Sequence, residues 1–336
     1  MLKKHFFKIL AGICISVILI LLTLRQIDIK KSLEVIASVN YLILIPAILV
    51  YCFTYILRGI RYYYILLPLK KTKVFDNFPY TMLGFFANNI IPLRLGELIR
   101  AKVTGERLEM SRSSVLATII IERLFDVIMF VSFFFLTVMV MYFPEYIKRS
   151  FYILTVIFFI CLLALYIILI HKDNAFKVLS KVPVASSLKS LITKFLDKFT
   201  SGLIVLKTPS VLIKTFILSG ILWVTESLFI AIVAYACGIR ISILGGIFTV
   251  IVIGMGSIIP TAPGYFGVFE LMGIMALSIL SVDKDSAFIC TAICHFLQLV
   301  VIFSLGMICI IKTKLSFSDL FKFAKDKSNQ FSSILK

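Results

Sequence analysis

Residues 88–126 read NNIIPLRLGELIRAKVTGERLEMSRSSVLATIIIERLFD, and this stretch decides what kind of fold the chain can adopt. It sets Asn, Pro, Gly, Arg and Glu between long runs of Ile, Leu and Phe. Around it the chain is strongly apolar: 60% of its 336 residues are hydrophobic and 15% are charged, with a mean hydropathy of +1.06. A soluble domain is nearer half apolar and a quarter charged. Polar groups held in such a background face water, a partner or a cargo.

Working outward, the apolar residues fall in blocks about the length of a bilayer span. The expected fold is an all-α polytopic membrane protein, with about six full transmembrane helices. Re-entrant or broken segments are expected near 78–93 and 244–280. The domain reading is an integral membrane domain over 1–312 and a basic cytoplasmic tail over 313–336. The expected spans are 6–24, 41–57, 113–143, 151–170, 214–236 and 287–311, with 25–40, 58–77, 94–112 and 171–213 as loops. The run after Lys3, Lys4 and Lys8 ends in Thr23-Leu24-Arg25-Gln26, which lacks the small residues of a cleavage site. It reads as a retained first helix.

The formal net charge is +18. The basic residues sit in short loops between apolar blocks, so they read as the positive-inside rule and attraction to anionic lipid, not as a nucleic-acid surface. Full crossing by 78–93 would put the lysine-rich segment 171–213 outside, against that rule. Entry from the cytoplasm with a turn back keeps 58–77, 94–112, 171–213 and both termini inside, in the cytoplasmic membrane of a cell. Irregular backbone at membrane depth needs cover from protein or a water-filled cavity, so this topology implies such a cavity. Ile90-Ile91-Pro92-x-x-x-Gly96 is echoed by Ile258-Ile259-Pro260-x-x-x-Gly264. Broken segments at matching places in inverted halves point to a transporter site, although four matched positions in an Ile-rich chain also arise by coincidence.

Charges inside membrane helices are functional candidates. Arg94, Glu97, Arg100, Glu122, Arg123, Asp126, Glu226 and Glu270 are such charges here; the bland alternative is mutual neutralisation that fixes helix packing. Glu226 and Glu270 have no basic neighbour at helical spacing, so each needs a distant partner, a proton or a cationic cargo. Arginine holds phosphate through paired hydrogen bonds, and broken-helix ends add backbone donors. Pro92, Gly96, Pro260, Pro263, Gly264 and Gly267 read as broken-helix hinges. Cys290, Cys294 and His295 invite a metal reading, but His295 is turned about 100° from Cys294 around the helix; small buried residues fit better. No metal or other cofactor is expected. No phosphate loop, H-E-x-x-H or G-x-S-x-G motif occurs.

The elements Arg58-x-x-Arg61, Asn89-x-x-Pro92-x-Arg94-x-Gly96-Glu97-x-x-Arg100, Glu122-Arg123-x-x-Asp126 and Pro260-x-x-Pro263-Gly264-x-x-Gly267-x-x-Glu270 carry a resemblance. In order and spacing the chain resembles the lysylphosphatidylglycerol synthase transmembrane-region family, the flippase half of the bacterial multiple peptide resistance factor. Tyr62 stands where that family often has Trp, and Tyr265 where a second Gly is common. The resemblance implies translocation of a phospholipid, anionic or aminoacylated, and through it resistance to cationic peptides. It implies a cavity lined by Arg58, Arg61, Asn89, Arg94, Glu97, Arg100, Glu122, Arg123, Asp126, Glu226 and Glu270. Full-length family members also carry a soluble domain that transfers lysine to phosphatidylglycerol; neither 171–213 nor the tail has room for it. Three readings stay open: a lipid flippase, an integral membrane lipid-modifying transferase, and a membrane partner of a separate soluble aminoacyltransferase. Membrane phospholipids are the expected partners, nucleic acid is not, and an oligomer is compatible with all three.

Overall fold

A computed structural model describes residues 2–25, 27–91, 95–145, 202–257 and 262–315, with scattered residues between 148 and 163. Ten α-helices make up the described residues: α1 (Leu2–Leu24), α2 (Ile29–Ser38), α3 (Leu44–Leu66), α4 (Val74–Ile90), α5 (Gly96–Arg107), α6 (Arg112–Val140), α7 (Pro209–Ala236), α8 (Ile243–Gly256), α9 (Val268–Ile279) and α10 (Lys284–Thr313). No strand occurs among them. The fold is an all-α polytopic membrane protein. Three stretches are long and apolar enough to cross a bilayer unaided: Tyr41–Leu66, Pro209–Ala236 and Lys284–Thr313. The 29 residues of α6 would also suffice in length, but Glu122, Arg123 and Asp126 interrupt its apolar run. Most of the expected span 151–170, the segment 171–201 and the tail beyond 315 lie outside the described residues, as do Pro92, Arg94 and Pro260.

Several expected loops are helices. Residues 25–40 contain α2, capped by Asp28, whose carboxylate accepts from the Lys30 and Lys31 N–H groups. Ile29 and Leu33 stay exposed, which suits a short helix lying in the membrane interface. Asp28→Ala is expected to lower the unfolding free energy by about 1 kcal/mol, the usual worth of an N-cap, read as a small drop in melting temperature in detergent. The expected loop 58–77 begins nine residues too early, because α3 runs on to Leu66 and carries Arg58 and Arg61 inward. Tyr62, within that expected loop, is fully buried. Residues 94–112 hold α5, whose Arg100 is likewise buried. Helices α3 and α5 keep their arginines because these find partners in the interior, a fact that hydropathy cannot register.

The two broken elements are antiparallel hairpins. Along α4 and α5, Asn88 meets Gly96 while Gly84 and Thr81 meet Arg100. As one position falls the other rises, so the chain doubles back between residues 90 and 96. Gly256 lies against Met272 and Gly245 against Leu280, so α8 and α9 do the same. The hairpins open toward opposite ends of the bundle. At one end the Asn40 N–H donates to the Ala236 carbonyl at 2.9 Å and the Asp28 N–H to Asp285 at 2.7 Å; the open end of α8/α9 lies here. At the other, Arg107 donates to the Thr313 carbonyl at 2.9 Å, beside the open end of α4/α5. The closed tips meet in between, where Gly264 approaches the Asn89 backbone.

Small residues permit this packing, as is usual where membrane helices touch. Gly306 of α10 receives the Phe86 ring, Gly273 of α9 faces Thr291, and Gly246 of α8 lies on the Ser227 backbone. The principal buried cluster is built from α3, α4, α7 and α10.

Candidate functional site

Between the helices lies a cavity of about 500 Å³. Its polar wall holds Arg58, Asn88, Asn89, Glu97, Arg123, Asp126, Glu226, His295 and Gln298; its apolar wall includes Val127, Phe130, Val131, Phe151 and Leu299. Tyr55, Phe85 and Trp223 line it as well. Volume and lining fall within the range of small-molecule sites, and a lining that combines charged and apolar side chains suits an amphiphile.

The polar wall begins with the spacing of α3. Arg58 and Arg61 share a face, and both point inward. Arg58 donates to Glu226 of α7 at 2.6 Å. Its guanidinium lies 4.8 Å from the centre of the Phe85 ring and 5.6 Å from that of Trp223. Arg61 sits deeper, donating to Asp126 at 2.6 Å, Glu122 at 2.9 Å and Ser219 at 3.0 Å. Arg100 of α5 reaches the other oxygen of Glu122 at 2.8 Å and Thr81 at 3.2 Å. It is stacked on the Tyr62 ring at 3.8 Å. Arg123 bonds Asp126 at 3.1 Å, and the Trp223 indole N–H adds a third donor to Asp126 at 3.1 Å.

Among the described residues this network sets four guanidinium groups against three carboxylates. Glu122, Arg61 and Arg100 are sealed behind the cavity wall, whereas Arg123 keeps 39% of its side chain exposed. The Nε atoms of Arg58, Arg61, Arg100 and Arg123 are all buried without a hydrogen-bond partner among the described residues. A partly exposed guanidinium on a cavity, as Arg123 presents, is the chemistry of an anion site. Glu97, on the same wall, offers a carboxylate to a cationic group. Asn89 lines the cavity and ties its amide to the Phe85 carbonyl at 2.9 Å.

Of the remaining expected site residues, Glu226 finds its distant partner in Arg58. Glu270 finds one in His295, 2.5 Å away on α10. Pro263 and Gly264 form a short 3-10 turn, Gly267 is the N-cap of α9 and Gly96 opens α5. A Cβ on Gly96 would overlap the Gly84 carbonyl oxygen and the Asn88 side chain. Gly264 and Gly267 have φ of 79° and 86°, and Tyr265 between them has 61°. Such a value is strained for a tyrosine and natural for the glycine that the resemblance leads one to expect there.

Sequence reasoning passed over His295, Tyr55 and the bridging role of Trp223. A signal for His295 was present: a membrane carboxylate without a basic neighbour, Glu270, and one histidine inside a long apolar run. The described cysteines are free thiols, with Cys237, Cys290 and Cys294 buried.

Comparison with known proteins gives a consistent placement. Residues 9–306 match the family described as the lysylphosphatidylglycerol synthase TM region. The chain is also similar to the UPF0104 membrane protein of Methanocaldococcus jannaschii, with 25% identity over 210 residues that cover 60% of this chain and 83% of that one. No solved structure matches.

Proposed function

The chain belongs to the lysylphosphatidylglycerol synthase transmembrane-region family, and from that premise we propose that it moves a phospholipid, anionic or aminoacylated in its head group, between the leaflets of the cytoplasmic membrane. The observation that carries the reading is the cavity itself, lined by the partly exposed Arg123 guanidinium, by Arg58 and Glu97, and by apolar side chains. A lipid phosphate would take the guanidinium side and an aminoacyl ammonium the Glu97 side, while the acyl chains follow the apolar wall. The two hairpins, meeting tip to tip from opposite ends, supply the elements whose rocking would alternate access. The end bearing Lys70, Lys71, Lys73, Arg107, Arg112 and Lys312 is the cytoplasmic one by the charge rule, which puts the starts of α4 and α1 on that side.

The test is lipid flipping by the purified chain in proteoliposomes, with fluorescent phosphatidylglycerol and its lysylated form. Arg123→Gln leaves Asp126 its bonds to Arg61 and Trp223, so the fold is retained. Loss of a charge-assisted hydrogen bond predicts flipping slowed by about tenfold. Wild-type vesicles that flip no faster than empty ones, or an Arg123→Gln protein as fast as wild type, would sink the reading.

A further inference from the structure

The polar lining of the cavity also contains a pair that the charge network does not use. His295 Nδ1 lies 2.5 Å from Glu270 Oε1, and His295 Nε2 lies 2.7 Å from the Gly264 carbonyl oxygen. Glu270 Oε2 accepts from the Gly267 N–H at 2.7 Å. The ring is buried and stacked on Phe269, with centroids 4.4 Å apart.

Donor counting fixes the proton content of this arrangement. A carbonyl oxygen only accepts, so Nε2 carries a hydrogen. The short contact at Nδ1 then needs a second hydrogen, either on the ring or on the carboxyl. Both microstates hold one proton more than a neutral histidine beside an ionised glutamate. Remove that proton, and the Nδ1 lone pair faces a carboxylate lone pair in a buried site. The contact becomes repulsive, and the neutral ring relieves it only by giving up its bond to Gly264, either by moving its hydrogen to Nδ1 or by turning.

The segment that His295 grips is under tension. Tyr265 has a positive φ, and a non-glycine residue in that region persists only where its surroundings hold it. Partners that hold the segment include the His295 ring, the Glu270 carboxylate and the Ser16 hydroxyl, which accepts from the Ala262 N–H at 2.9 Å. Tyr265, Val268 and Phe269 line the cavity, so loosening this tip opens the cavity wall.

We propose that Glu270 and His295 form a proton-binding site that latches the tip of the α8/α9 hairpin, with proton release opening the cavity at that tip. This deepens the transport reading and rests on it for its purpose: the proton is the ligand that controls access. A proton-held contact is present at low pH and lost as pH rises. Other titratable groups around the pair are accounted for. The Arg58–Glu226 pair comes from α3 and α7, Arg123 and Asp126 from α6, and Glu97 from α5. Tyr51, Tyr55 and Tyr265 are phenols, and Cys290 and Cys294 are thiols on the histidine's own helix. Among these the Glu270–His295 pair alone grips the tip.

The experiment needs no lipid cargo, so its failure is distinct from failure of the transport reading. Hydrogen exchange of residues 262–270 is followed in the full chain from about pH 5 to about pH 9, the range in which a histidine changes charge, after correction for intrinsic exchange. Quencher access to Trp223, the one tryptophan and a cavity residue, is read in parallel. Wild type is expected to lose at least tenfold of its protection across this range, with quenching rising together. Glu270→Gln can donate its amide to a neutral His295 and still accept from Gly267, so both readouts should become flat with pH at the protected level. Where that variant does not fold, His295→Gln takes its place, expected flat at the unprotected level. Wild-type readouts that do not change, changes that persist in the variant, or exchange that changes without quenching would each overturn the proposal.

Discussion

Glu122→Ala is expected to cost about 3–5 kcal/mol of stability, the typical penalty for removing one partner of a buried ion pair. The carboxylate is fully buried and divides its oxygens between two equally buried cations, Arg61 at 2.9 Å and Arg100 at 2.8 Å. Truncation leaves Arg61 with Asp126 and Ser219 and Arg100 with Thr81 and the Tyr62 face. The effect exceeds that of any cavity residue, because Arg123 can be hydrated from the cavity and Arg61 and Arg100 cannot. Thermal unfolding in detergent is the check: a shift of many degrees is expected for Glu122→Ala and a smaller one for Glu122→Gln. A melting temperature within a degree or two of wild type would mean that the arginines find water.

Gly96→Val is expected to be of similar size, about 3 kcal/mol or more, at the upper end of overpacking costs. Here the obstruction is backbone. A side chain at this position runs into the Gly84 carbonyl oxygen, and into the Asn88 amide whose oxygen accepts from the Gly96 N–H at 2.8 Å. Neither can move without opening the α4/α5 hairpin. Loss of monodisperse protein on purification, with Gly96→Ala intermediate, is the readout. An unchanged yield and melting temperature would show that α5 departs from α4 more freely than this contact implies.

How much of this was legible in the sequence varies with the kind of force involved. The polytopic all-α class and the doubling back of 78–93 follow from block length and loop charge, both of which are local. The arrangement of 244–280 as a second hairpin from the opposite end followed from the same reasoning, and Gly245–Leu280 and Gly256–Met272 describe it. Arg58 and Arg61 were assigned to a loop, because hydropathy assigns a guanidinium to water unless its partner is visible, and those partners lie 65 and 168 positions away. His295 was weighed only as a metal ligand beside Cys290 and Cys294 and set aside on helix geometry; its partners, Glu270 and Gly264, are on other elements. The resemblance named Arg61, Arg100 and Glu122 together but could not separate the residues behind the wall from those on it.

The paired hairpins also constrain the order in which the protein can be assembled. Neither hairpin has a continuous helix long enough to satisfy its own backbone across a bilayer, and a bare break in lipid has no partner. The first packs against α3 and α6, its near neighbours in sequence, as well as on Gly306 of α10. The second depends on α10, which supplies the Thr291 surface for Gly273 and the His295 ring for Gly264. That helix is among the last parts of the described chain to leave the ribosome. Residues 243–279 must therefore wait, sheltered by the helices already in place or by the insertion machinery, until α10 arrives to fasten them.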